Sequence, residues 1–149
     1  MKVLIVCNTV YQVFVATWLK IRVMQSDNVD IVISDHMNDS DLITKNIKKT
    51  SLFSNVYKIN SKELCKKPLD RCSRYKCIFY ATSVLKRYIK IDKKYDCVFF
   101  ANVDIFSKLL FHTLANDIFG LGYNKNIKLF LFEDGTSTYS KLFEEYYKS

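Results

Sequence analysis

Glu133 and Asp134 stand side by side at the end of an apolar run, Ile127-Lys128-Leu129-Phe130-Leu131-Phe132, and Gly135 follows them. A carboxylate beside a second one, at the mouth of a low-dielectric cleft, has its pKa raised, because both surroundings disfavour its charged form. So tuned, it is a general base for a hydroxyl. Gly135 permits the sharp turn this placement needs. Thr136, Ser137 and Thr138 come next, hydroxyls that can cap a helix or bond a polar ligand. The same spacing fits an acidic turn in which Asp134-Gly135 are turn residues and Thr136 or Thr138 is a helix cap. A second polar group, Asn8-Thr9-Val10-Tyr11-Gln12, stands where the first apolar run ends.

Other chemistries lack their residues. The three glycines are Gly120, Gly122 and Gly135, so no G-x-G-x-x-G or phosphate loop follows the first strand. A G-x-S-x-G elbow is absent too. The five cysteines, Cys7, Cys65, Cys72, Cys77 and Cys97, are odd in number and contain no C-x-x-C. They read as reduced thiols of a cytosolic protein, with Cys7 and Cys97 in core strands. His36 and His112 lie far in sequence from Cys72 and Cys77, so no metal is expected. His112 falls close to the apolar stripe of a predicted helix and reads as a half-buried histidine.

The elements that must position these residues alternate along the chain. Apolar runs predict strands over 2–7, 29–34, 55–59, 95–100 and 127–132. Helical stretches are predicted over 11–24, 39–49, 75–89, 104–119 and 139–147. The first is so apolar that it reads as largely buried, with Asn8 or Thr9 as its cap. Such alternation predicts an α/β fold: a single Rossmann-like open parallel sheet of about five strands with helices on both faces. In these sheets ligands bind beyond the carboxyl ends of the strands. Both polar groups fall there.

The length, 149 residues, suits one domain. No apolar run approaches the length of a membrane span, and the N-terminus is too short in apolar residues for a signal peptide. The formal charge of +8 is concentrated. Lys58 to Lys94 holds twelve of the 23 basic residues and three of the 15 acidic ones. A solvated lysine-rich helix face, an anionic membrane surface and an acidic glycan acceptor each fit this segment. No nucleic-acid partner is expected, because no helix-turn-helix, RRM or KH signature accompanies the charge.

Glu133-Asp134-Gly135 after an apolar strand resembles the acidic D/E-D/E-G motif of bacterial sialyltransferases and polysialyltransferases. The start, Leu4-Ile5-Val6-Cys7-Asn8-Thr9-Val10-Tyr11-Gln12-Val13, is similar to that group's strand running into a Thr-Pro-Tyr-Gln-Leu-like turn. The resemblance is to the lipooligosaccharide and capsular-polysaccharide type, glycosyltransferase family 52 and its polysialyltransferase relatives, and it spans nearly the whole chain. It implies a GT-B architecture of two Rossmann-like domains. It also implies metal-independent, inverting transfer from a CMP-sugar to a glycan hydroxyl, with no cofactor. On this resemblance Asp134 is the general base and Glu133 and Gly135 shape its loop, with Thr136 and Ser137 beside them. Thr9, Tyr11 and Gln12 line the facing loop.

Two departures accompany it. Val10 stands where the group has proline, and no His-Pro dipeptide exists, because the sole proline, Pro68, follows Lys67. The His-Pro motif belongs to the second domain and holds the CMP phosphate. Residues 1–149 are therefore expected to be the N-terminal, acceptor-side half, with the nucleotide-sugar-binding domain absent. The implied partners are a glycan acceptor, a donor-binding domain or chain, and an anionic membrane touched through the basic segment. The expected location is cytoplasmic, peripheral at the inner face of the membrane. Alternatives are a non-catalytic partner subunit of a split GT-B enzyme and a basic α/β nucleic-acid-binding module.

Overall fold

The structure, a computed structural model, describes residues 1–60, 95–101, 107, 110, 114 and 127–132. Its elements are β1 (Lys2–Cys7), α1 (Val10–Arg22), β2 (Asn28–Ser34), α2 (Ser40–Thr50), β3 (Asn55–Ile59), β4 (Cys97–Phe100) and β5 (Lys128–Leu131). All five strands are parallel, in the order β3-β2-β1-β4-β5. The α/β open sheet expected from the alternation is therefore the fold. The expected helices over 75–89 and 139–147 lie outside the described residues.

β1 takes the centre because it is apolar on both faces. Every residue from Val3 to Cys7 is buried, as a strand covered above and below requires. Ile5 stands opposite Ile31 of β2 and Phe99 of β4, and Leu4 stands opposite Val98 of β4. Val3, Ile5 and Cys7 form one core layer with Ile31, Ile33, Val13 and Ala16, against which Ile43 and Ile47 of α2 also pack. Leu4, Val6, Val32, Ile59, Val98 and Phe100 form the layer on the other face, with Leu110 and Leu114 packed on it. Ser107, Leu110 and Leu114 are helical, within the stretch predicted over 104–119. Each fully buried Val, Ile or Leu in these layers stabilises the fold by about 1.5–3 kcal/mol.

Three differences in the elements have physical causes. β4 starts at Cys97, not Tyr95, after Asp96, whose carboxylate accepts from the Lys2 N–H at 2.7 Å beside its own N–H bond to the Lys2 carbonyl. α1 ends at Arg22, before the predicted 24, where the Lys20 ammonium donates to the carbonyls of Met24, Gln25 and Asp27 at 2.8–3.1 Å. A cation on these carbonyls suits the negative end of the helix dipole. The third difference corrects the reading of this helix as largely buried. Gln12, Val13 and Ala16 are buried, while Val10, Phe14, Trp18 and Ile21 are exposed. A helix lying on a sheet buries one side, and this one is apolar on the other as well.

One polar group in the core is satisfied within it. The Asp30 carboxylate of β2, fully buried, accepts from the Tyr95 hydroxyl at 2.7 Å and from the Asn55 side-chain amide at 2.8 Å. This ties β2 to β3 and to the start of β4. Burial, and then the Asp30 charge, push the Tyr95 hydroxyl well above its ordinary pKa.

Candidate functional site

The strand order reverses between β1 and β4: β2 and β3 extend the sheet one way from β1, and β4 and β5 the other. The crevice for a ligand in such a sheet lies there, past the carboxyl ends. Asn8 and Thr9 leave β1 at this point, Ala101 leaves β4, and Phe132 leaves β5. The Phe132 N–H donates to the Phe100 carbonyl at 2.9 Å, so pairing persists to the last residue before Glu133. Adjacent strands are about 4.8 Å apart, which places the ends of β1 and β5 about 10 Å from each other on one sheet edge. Glu133, Asp134, Gly135, Thr136 and Ser137 lie outside the described residues.

The β1–α1 turn is held by its own side chains. Thr9 has an extended backbone and caps α1, its Oγ1 accepting from the Gln12 N–H at 3.2 Å. Gln12 Oε1 reaches back to accept from the Asn8 N–H at 2.6 Å. This reciprocal arrangement resembles a capping box, in which the third helical residue returns a bond to the residues before the helix. Gln12 is fully buried beneath the turn, whereas Thr9 and Tyr11 are exposed. Thr9 and Tyr11 are thus exposed beside the carboxyl end of β1, and Gln12 fixes the turn that carries them. Asn8, the other candidate cap, is buried at this junction, and Thr9 is the cap.

Of the other residues weighed from sequence, Cys7 and Cys97 play a structural part, while His36 stands on the same carboxyl edge, just past β2. Cys7 and Cys97 are buried thiols without a disulfide, and burial pushes the Cys7 thiol well up, which keeps it protonated and unreactive. His36 is exposed, its N–H donating to Ser34 Oγ at 3.3 Å. Of the basic segment, Lys58 is described and pairs with Asp41 of α2. Open depressions beside α2 and β3, lined by Lys45, Lys48, Lys49 and Lys58, lie toward the sheet edge opposite β5. Among the described residues, no three His, Cys, Asp or Glu side chains gather as a metal site, and no helix is long and apolar enough to cross a membrane.

Comparison with known proteins adds the whole length of the chain to this geometry. The family model described as Alpha-2,8-polysialyltransferase (POLYST) matches residues 3–148. No curated protein and no solved structure matches the chain.

Proposed function

The chain belongs to the alpha-2,8-polysialyltransferase family, and on that premise we propose that it transfers sialic acid from a CMP-sugar to a hydroxyl of a sialic acid chain during surface polysaccharide or lipooligosaccharide synthesis. The match over residues 3–148 is the observation that carries this reading, because it takes in both the β1–α1 turn and the Glu133-Asp134-Gly135 motif. In the proposed step the acceptor oxygen attacks the anomeric carbon of the donor sugar. The carbon–oxygen bond to the CMP phosphate breaks, CMP leaves with the electron pair, and the configuration inverts. The acceptor proton passes to the Asp134 carboxylate. No metal takes part. Glu133 raises the basicity of Asp134 through its like charge, and Gly135 turns the loop.

Thr9 and Tyr11 supply exposed polar groups on the same sheet edge, and Thr136 and Ser137 supply hydroxyls beside the base. Gln12 acts as a positioning residue through the α1 cap. A second Rossmann-like domain or chain holds the donor nucleotide in this reading, which makes residues 1–149 the acceptor-side half of a GT-B enzyme. The test is elongation of an oligosialic acid primer by CMP-sialic acid, measured in extract of the producing cells so that any donor-binding chain is present. Asp134→Asn should lower the rate at least about 100-fold with the circular dichroism spectrum unchanged. No CMP-sialic acid-dependent elongation in the extract, or an unaltered rate in the variant, rejects the proposal.

A further inference from the structure

The loop from β2 to α2 is fixed from within and polar without. Ser34, the last residue of β2, is fully buried, and its Oγ accepts from the His36 N–H at 3.3 Å. The Asp35 N–H donates to the Ile59 carbonyl of β3 at 3.0 Å, and Met37 and Ser40 are buried. Between these anchors His36, Asn38 and Asp39 are exposed. Asp39 occupies the N-cap position of α2, where aspartate is favoured, yet its side chain makes no capping bond and its φ is 56°. The bonds that hold the loop come from backbone groups and Ser34, not from the three exposed side chains.

Their place gives them a use. Cys7 of β1 stands opposite Ile33 of β2, so the loop leaves the sheet beside the β1–α1 turn, on the edge where such sheets bind ligands. In doubly wound sheets a polar side chain near the end of the second strand bonds hydroxyls of a ligand laid across the first. The chemistry here suits hydroxyls. An imidazole and an amide each offer a donor and an acceptor, and a carboxylate accepts. Charge opposes a carboxylate ligand, because Asp35 and Asp39 flank His36 and the Lys58 ammonium is paired with Asp41.

We propose that His36, with Asn38 and Asp39, binds hydroxyls of the acceptor chain at a sugar unit other than the one that reacts. The identity of that chain rests on the transfer reading above. β2 ends three strands from β5, about 14 Å along the sheet edge, whereas the reacting hydroxyl is assigned to residues that follow β5. An acceptor that meets both ends must cross Thr9 and Tyr11 with more than one unit, so recognition depends on its length.

Two measurements test this. In extract of producing cells, KM for oligosialic acid primers should fall as the primer lengthens from the shortest one elongated to five units. In cells carrying His36→Ala that fall should be lost, with KM for the five-unit primer raised about fivefold and kcat unchanged, as loss of one hydrogen bond predicts. A KM independent of length in the wild type, or the same fall in the variant, overturns the proposal. Loss of elongation in Asp134→Asn alongside either result leaves the transfer reading standing. The full chain alone gives the second measurement. It has two histidines, so His36→Ala identifies the His36 imidazole signals in a carbon-13 spectrum. Five-unit oligosialic acid should shift them, and polyglutamate, an anion without hydroxyls, should not. No shift, or an equal shift with polyglutamate, overturns the proposal. A selective shift in a protein whose extract does not elongate supports the hydroxyl site and rejects the transfer reading.

Discussion

Replacing Tyr95 by phenylalanine tests the one buried polar tie across the described sheet. Tyr95 is 3% exposed, and its hydroxyl gives Asp30 one of the two hydrogen bonds seen on that carboxylate. The ring stays in place in the variant, and Asp30 loses a donor where water has little access. A hydrogen bond to a buried charged group contributes about 1.5–3 kcal/mol, so Tyr95→Phe should cost about 2 kcal/mol near pH 8. The difference must also depend on pH, with a definite sign. The folded-state pKa of Tyr95 is raised, so the unfolded chain releases this proton first, near pH 10, while the folded protein keeps it. The stability due to this group is whole below pH 10 and falls as pH rises above it. At pH 11 the unfolded state gains about 1.4 kcal/mol by ionising Tyr95, which the phenylalanine variant cannot do. The gap between the two proteins should therefore shrink from about 2 to about 0.6 kcal/mol. Every other titrating group is common to both and cancels. Urea unfolding followed by far-ultraviolet circular dichroism at the two pH values measures it. A gap under about 0.5 kcal/mol at pH 8, or one equal at both pH values, refutes the reasoning.

The remaining predictions concern the β1–α1 turn and the core thiol. Thr9→Ala should cost about 1 kcal/mol in the same unfolding assay, and Thr9→Ser should restore most of it, because the cap needs only the hydroxyl oxygen. Gln12→Ala removes the Oε1 acceptor of the Asn8 N–H in a buried setting and should cost about 1–3 kcal/mol; a smaller loss than that of Thr9→Ala would deny the bond its role. Cys7 should resist iodoacetamide in the folded protein at pH 8 and react in urea, as read by mass spectrometry of its peptide. Equal labelling in both states would contradict its burial.

The strands were legible because each is a short apolar run between polar residues, and the run Val3 to Cys7, lacking any polar side, suits a strand covered on both faces. Their alternation with helices was enough to give parallel pairing, since crossovers of that length leave few other arrangements. The outer face of α1 was not legible for a related reason. Where apolar residues occupy every side of a helix, periodicity names no inward direction, and burial is the default inference. The sheet chose Gln12, Val13 and Ala16. That choice reshapes the site as well. Thr9, Tyr11 and Gln12 fall within four residues, and one pattern of exposed and buried positions separates them: Gln12 turns under the helix to hold Asn8, while Thr9 and Tyr11 turn outward. A polar residue three positions after a helix cap has a local structural use before it has any other. A fully buried amide also supplies no proton-transfer group to a ligand in the crevice. Among residues of the described turn, then, none is both exposed and basic enough at neutral pH to take a proton from a hydroxyl. The turn itself therefore supplies no general base, and the reaction proposed here assigns that role to Asp134, two residues past Phe132 in the chain.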